Sequence, residues 1–270
     1  MTNVSRGVKP HSSRNSFFVT VAAVAVSVGI VLIFCAGVKR DLEFTPPGKN
    51  PLNDYWKQAV NYNSKGDFAQ AIWNFRKYIE TGGKEIEVYK NLSELYVKTG
   101  QFNQALENAQ QYTQLAPRAP EGFFRLGVVY NILGQKGKAI ECYQKSIEID
   151  PQFAESYFNL GFLYESDGQL LKAIESYKKT VESDPGHAKA YYNLGNAYAG
   201  LEKDLDAIQS YQRAVDIDPN YMDAFVNLSI LLTKNGKYNE AIKYLDQARV
   251  LGYDAPEEFL TELDRYREHK

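Results

Sequence analysis

Apolar positions along the chain follow two regimes. From residue 16 to 38 it reads SFFVTVAAVAVSVGIVLIFCAGV, uncharged and without proline, with only Ser16, Thr20 and Ser27 carrying polar side chains. Beyond residue 52 the apolar positions recur with helical period instead. In YFNLGFLY, residues 157–164, Tyr157, Leu160, Gly161 and Tyr164 fall at i, i+3, i+4 and i+7, one face of a helix. Gly168 ends that helix. A second series, Leu171, Ala173, Ile174, Tyr177 and Val181, runs to Asp184-Pro185, where proline disfavours helical geometry at the residue before it. Two helices per unit are predicted.

The unit recurs. Tyr62, Tyr96, Tyr130, Tyr164 and Tyr198 stand 34 apart, as do Gly66, Gly100, Gly134 and Gly168; Ala71, Ala105, Ala139, Ala173, Ala207 and Ala241 form a six-fold series. Pro117, Pro151, Pro185 and Pro219 close successive units. Small residues at the eighth position of each unit (Ala59, Ser93, Gly127, Gly161, Gly195, Ser229) let paired helices approach to roughly 8–10 Å. This period and residue order resemble the tetratricopeptide repeat family. The resemblance implies an all-α, right-handed solenoid of six helix-turn-helix repeats over 52–253, starting at 52, 86, 120, 154, 188 and 222.

The ends of the series depart from the pattern. Gln58 replaces a leucine in the first unit, and Tyr253 replaces the closing proline in the sixth. Glu202 stands where the fifth turn glycine is expected, which predicts a looser turn there. After the last unit, Asp254 with Glu257 resembles a capping box, and Phe259, Leu260, Leu263 and Tyr266 form an apolar stripe. Residues 254–270 are therefore read as a capping helix.

Before the repeats, the apolar run at 16–38 is read as a transmembrane helix, since 23 residues at about 1.5 Å each span roughly 34 Å. Residues 1–15 form a basic leader and 39–51 a Pro-containing spacer. The expected localisation is a single-pass membrane protein with its N-terminus inside and its repeat domain in the periplasm of a bacterium. A cleaved signal peptide, or acylation at Cys35, are alternative readings of the same run.

Composition narrows the function. Residues 1–40 hold five basic and no acidic side chains, leaving 26 basic and 33 acidic over the rest, a net −7. A domain of that sign without a basic stripe is not expected to bind nucleic acid. Cys35 and Cys142 form no disulfide framework or paired metal motif. The histidines, His11, His187 and His269, are not paired with a nucleophile, and glycines fall at turns rather than in phosphate-binding runs. The reading is of a non-catalytic protein with no catalytic residue, metal, cofactor or small-molecule substrate.

What remains is the face of each first helix that the core does not need. The sixth position reads Lys57, Asn91, Arg125, Asn159, Asn193 and Asn227. Asparagine lies about 0.5–0.7 kcal/mol below alanine in helix propensity, so its recurrence inside helices asks for a reason. In the family that the repeats resemble, this position lines a concave groove where asparagines bind the backbone of an extended peptide. Phe124, Phe158 and Tyr192 at the fifth position and Phe162 at the ninth join Asn91, Arg125, Asn159, Asn193 and Asn227 as candidate groove residues. Acidic residues at the second position, Glu87, Glu121, Glu155 and Asp223, favour partners with Lys or Arg. The family's carboxylate clamp is not matched: Trp56 and Val60 stand in the first unit and Glu121 in the third, with Arg125 alone in agreement. The expected function is a membrane-anchored scaffold that binds protein or peptide partners in assembling a membrane-associated complex. A cytosol-facing organelle receptor or a secreted or lipid-anchored form is the alternative.

Overall fold

The structure is a computed structural model that describes residues 51–267, thirteen helices and no strand among them. Twelve helices pair as consecutive hairpins: α1 (Pro51–Ser64) with α2 (Phe68–Glu80), α3 (Glu87–Lys98) with α4 (Phe102–Leu115), and α5 (Pro120–Ile132) with α6 (Lys136–Ile149). Then come α7 (Ala154–Ser166) with α8 (Leu170–Ser183), α9 (Ala188–Gly200) with α10 (Asp204–Ile217), and α11 (Met222–Lys234) with α12 (Tyr238–Val250). The last, α13 (Glu257–Arg267), packs on α12. Each hairpin touches the next, so the fold is a solenoid held by nearest-neighbour contacts.

Inside each hairpin, the small eighth-position residue decides how closely the helices meet. A Cβ added to Gly127, Gly161 or Gly195 would stand 2.7, 2.6 or 2.5 Å from the ring of Tyr143, Tyr177 or Tyr211, so glycine and tyrosine fit as a pair. Where the large ring is missing, at Ala109 and Leu245, the eighth position is serine. Ser93 and Ser229 donate to the carbonyls of Ala105 and Ala241 at 3.0 and 2.9 Å. The alanine column at Ala71, Ala105, Ala139, Ala173, Ala207 and Ala241 is fully buried.

The turns keep one geometry. Gly66, Gly100, Gly134, Gly168 and Gly236 hold φ between 72° and 77°, where glycine carries no steric penalty. Glu202 adopts φ 57° in the fifth turn, and its N–H reaches Ala199 O at 3.0 Å as Gly168 N–H reaches Glu165 O at 2.9 Å. The looser turn expected there is not seen. The flanking hairpin imposes the left-handed conformation on a residue that resists it.

At the carboxyl end, helix α13 begins at Glu257, three residues later than the reading from sequence. Leu263 is fully buried, Phe259 and Leu260 pack on the last hairpin, and Tyr266 stacks on Tyr238 with centroids 3.6 Å apart. At the amino end, Pro51 opens α1 rather than closing a spacer, as proline's fixed φ and missing N–H allow.

The leader, the apolar run at 16–38 and the rest of the spacer lie outside the described residues. The expected membrane localisation is not upheld: among the described residues no helix is long and apolar enough to cross a membrane. The longest of them have 14 residues, about 21 Å of helix against a hydrocarbon core of about 30 Å.

Candidate functional site

First helices of neighbouring hairpins meet one another, α3 with α5 and α7 with α9, more extensively than any two second helices do. The first helices therefore share one face of the stack, called the inner face below, and the side chains that bridge them mark its floor. At its amino-terminal half the floor is ionic. Arg125 donates to Glu121 at 2.9 Å and to Glu94 at 3.1 Å, Lys98 pairs with Glu94 at 2.7 Å, and Lys90 reaches Glu121 at 3.5 Å. The hydrogen bond from Lys98, with Arg125 alongside, holds the Glu94 carboxyl below its ordinary range. Burial alone would raise Glu121, but the Arg125 and Lys90 contacts outweigh it and the net shift is downward. Arg125 thus serves as a strut between α3 and α5.

The carboxy-terminal half is built from tyrosine and amide groups. Tyr177 Oη donates to Glu165 Oε2 at 2.6 Å and accepts from Asn193 Nδ2 at 3.3 Å. One hairpin on, Tyr211 Oη donates to Asn196 Oδ1 at 2.7 Å, while Asn227 Nδ2 donates to Asn196 Oδ1 at 3.2 Å and to Tyr192 Oη at 3.3 Å. Burial raises the phenols of Tyr177, Tyr192 and Tyr211 above their ordinary pKa, so they are neutral. Tyr143, the equivalent ring of the third hairpin, is fully buried, and its hydroxyl has no hydrogen-bond partner. Val128 stands where Asn196 serves Tyr211, and Asn131 where Glu165 serves Tyr177.

The nine candidate groove residues separate into kinds. Asn193 is buried and bonded to Tyr177, and Asn227 is bonded to Tyr192 and Asn196. Asn159 turns its Nδ2 back to Glu155 O at 2.8 Å, and Asn91 makes no side-chain hydrogen bond among the described residues. Phe124 packs on Tyr143 and Phe153, Phe158 on Tyr177 and His187, and Tyr192 on Tyr211 and Tyr221, with ring centroids 4.8–6.0 Å apart. These three half-buried rings are pillars between successive hairpins. Phe162 is different: 45% of it is exposed, as are 47% of Val60 and 38% of Ile230 at the same ninth position.

The tyrosine partners of Asn193 and Asn227 were not read from the sequence. Tyr177 stands 16 residues before Asn193, but Tyr143 at the same spacing from Asn159 makes no such bond and Asn227 reaches Tyr192, 35 residues away, so no fixed spacing marks the pairs. His187 is half-buried; its Nδ1 accepts from Ala190 N–H at 3.1 Å and caps α9. Cys142 is buried, and desolvation aided by the charge of Glu141 pushes its thiol up to about 11, far from a nucleophile's range. Among the described residues no group of three or more His, Cys, Asp or Glu could hold a metal ion.

A stack of hairpins with an exposed inner face of mixed aromatic, amide and carboxylate character defines an interaction solenoid. Models of the tetratricopeptide repeat match residues 86–118, 129–168, 166–201, 188–221 and 210–243, together more than half of the chain. The chain belongs to the tetratricopeptide repeat family. Among solved structures it is similar to MamA (28% identity, TM-score 0.55, covering 63% of this chain and 92% of that one). It is also similar to YrrB, described as a TPR protein with an unusual peptide-binding site (26% identity, TM-score 0.51, covering 63% and 88%). The C-terminal part of a TPR repeat-containing protein from Cytophaga hutchinsonii shares the fold (19% identity, TM-score 0.63, covering 78% and 85%). No curated protein matches the chain. No enzyme family is indicated; tetratricopeptide repeat proteins are in general non-catalytic scaffolds that bind proteins or peptides.

Proposed function

We propose that the repeat domain is a non-catalytic scaffold that holds an extended segment of a protein partner along the inner face of its first helices, and so organises a protein complex. The observation that carries this reading is the row of exposed apolar side chains at one repeat position, Val60, Phe162 and Ile230, on the face where first helices meet. Apolar groups held in water at a recurring position stabilise nothing in the free domain and offer anchor points to a partner. Asn159, half-exposed beside Phe162, keeps its Oδ1 for the backbone N–H of such a segment. The peptide-binding site in the description of YrrB supports the same use of the fold. Asn193 and Asn227 hold the tyrosines that shape the groove, and Phe124, Phe158, Tyr192 and Arg125 keep its walls in register.

The test is a photo-crosslinker at Phe162, with the same group at Gln209 on the exposed side of α10 as control. A discrete adduct from position 162, absent from 209 and lost when Asn159 and Ile230 are changed to alanine, is expected. Adducts from 209 alone, or equal adducts from both, would overturn the groove reading.

A further inference from the structure

Charge on the inner face is unevenly resolved. Glu94 and Glu121 are each paired with cationic side chains. Glu165, in the last turn of α7, is not. Its carboxylate accepts one hydrogen bond, from Tyr177 Oη, and among the described residues no Lys, Arg or His is paired with it. Lys189, the nearest cation on α9 to this wall, sits over the ring of Phe158, seven residues and about 10 Å down the helix from Glu165. Burial raises the Glu165 carboxyl above its ordinary value, with no neighbouring cation to bring it back. A half-buried carboxylate without a counter-charge is costly to keep unless something else pairs with it.

Its surroundings narrow what that is. Phe158, Phe162 and Glu165 fall at i, i+4 and i+7, on one face of α7, so the exposed Phe162 ring lies one turn from the carboxylate. Tyr192 of α9 faces Glu165 closely enough to feel its charge, as does Tyr211 of α10. Both phenols are neutral, so the charge beside Phe162 is that of Glu165, and the next carboxylate that Tyr192 feels is Asp223 of α11. One carboxylate cannot hold a divalent metal, and no metal-binding group is present among the described residues. A flat organic cation suits both features, because a guanidinium lies over an aromatic ring while donating two hydrogen bonds to a carboxylate.

We propose that the segment bound on the inner face places an arginine side chain between Phe162 and Glu165, with its guanidinium on the Glu165 carboxylate. This rests on the groove reading and gives it a residue-level specificity: the partner is a protein segment with an arginine, held at the fourth and fifth hairpins. The ionic floor around Arg125 has no such vacancy and contributes no specificity for a cation.

The test uses the full chain and a fluorescein-labelled nonapeptide, Gly-Ser-Ala-Ala-Xaa-Ala-Ala-Ser-Gly-amide, with Xaa as arginine, its neutral isostere citrulline, or lysine. Affinity is read by fluorescence anisotropy. The arginine peptide is expected to bind at least 10-fold more tightly than the citrulline peptide, with lysine between them. That difference collapses in E165Q, which keeps an acceptor for Tyr177, and in F162A it shrinks. It survives in E175Q, which removes the same charge from an exposed position on α8, away from the first helices. Helical circular dichroism checks that each variant folds. Equal loss in E175Q and E165Q would mean that net charge alone attracts the peptide, and would overturn the proposal. Equal binding of arginine and citrulline would overturn it while leaving the groove reading intact. Binding of neither would also overturn it, and the Phe162 crosslink then decides the groove by itself.

Discussion

Three tyrosines occupy the same place in successive hairpins, yet their hydroxyls meet three different environments, which makes a matched series of Tyr→Phe changes a sharp test of the structure. In Tyr177→Phe the chain loses a 2.6 Å hydrogen bond to a carboxylate and leaves Asn193 Nδ2 without its acceptor. Hydrogen bonds to charged groups contribute about 1.5–3 kcal/mol, so a loss of about 2 kcal/mol is expected. Tyr211→Phe removes a 2.7 Å bond to a neutral amide, worth about 1 kcal/mol. Tyr143→Phe removes a buried hydroxyl that has no partner. An unsatisfied buried polar group costs about 1–3 kcal/mol, so this variant should gain about 1 kcal/mol. The first and third differ by about 3 kcal/mol. At roughly 2–4 °C per kcal/mol for a domain of this size, their melting temperatures should lie about 6–12 °C apart, with wild type between them. Thermal unfolding followed at 222 nm, with urea titration to check that the m-value is unchanged, reads this directly. If Tyr143→Phe destabilises as much as Tyr177→Phe, the reasoning fails, because the loss would then come from ring packing and not from hydroxyl satisfaction.

Glu202→Gly should stabilise by about 1 kcal/mol, since it relieves a left-handed residue at φ 57°; a lower melting temperature would show that Glu202 makes a compensating contact. Arg125→Ala removes the link between Glu94 and Glu121 and should cost about 1 kcal/mol at pH 7. Both carboxyls are lowered in the folded state, so their contribution is present above the unfolded value of 4.5 and is lost as pH falls through the folded values. The cost of Arg125→Ala should therefore shrink as pH falls below 4.5, and a cost independent of pH would argue for packing alone. Glu165 has the opposite sign: its folded pKa is raised, so its contribution is full below 4.5 and is lost as pH rises through the folded value. E165Q should accordingly melt higher than wild type at pH 7, with the gap closing below about pH 4. Cys142, buried and with its thiol raised to about 11, should resist Ellman's reagent in the native protein at pH 8 and react only at the rate of unfolding; rapid labelling would contradict its placement.

The sequence by itself determined the architecture, and the reason lies in how a solenoid is made. Every packing contact joins residues at a fixed offset along the chain, so Gly161 against Tyr177, the alanine column and the turn glycines all surface as a 34-residue period. That is why an all-helical stack of hairpins is legible without coordinates, down to the small eighth-position residues.

Which polar groups are satisfied is a different question, and only the tertiary structure decided it. Asn159, Asn193 and Asn227 are one residue type at one position, yet the first bonds back to its own helix, the second is buried on Tyr177 and the third bridges Tyr192 and Asn196. Glu94, Glu121 and Glu165 look alike in the sequence, but the first two meet cations and the third meets a phenol. Glu202 shows the converse, where a residue with the wrong local preference is held in the turn by the hairpin on either side. A period reports the backbone's repeating geometry, because apolar packing tolerates any side chain of suitable size. Hydrogen bonds and ion pairs are short-ranged and directional, so their pairing depends on which neighbours two adjacent hairpins bring within about 3 Å.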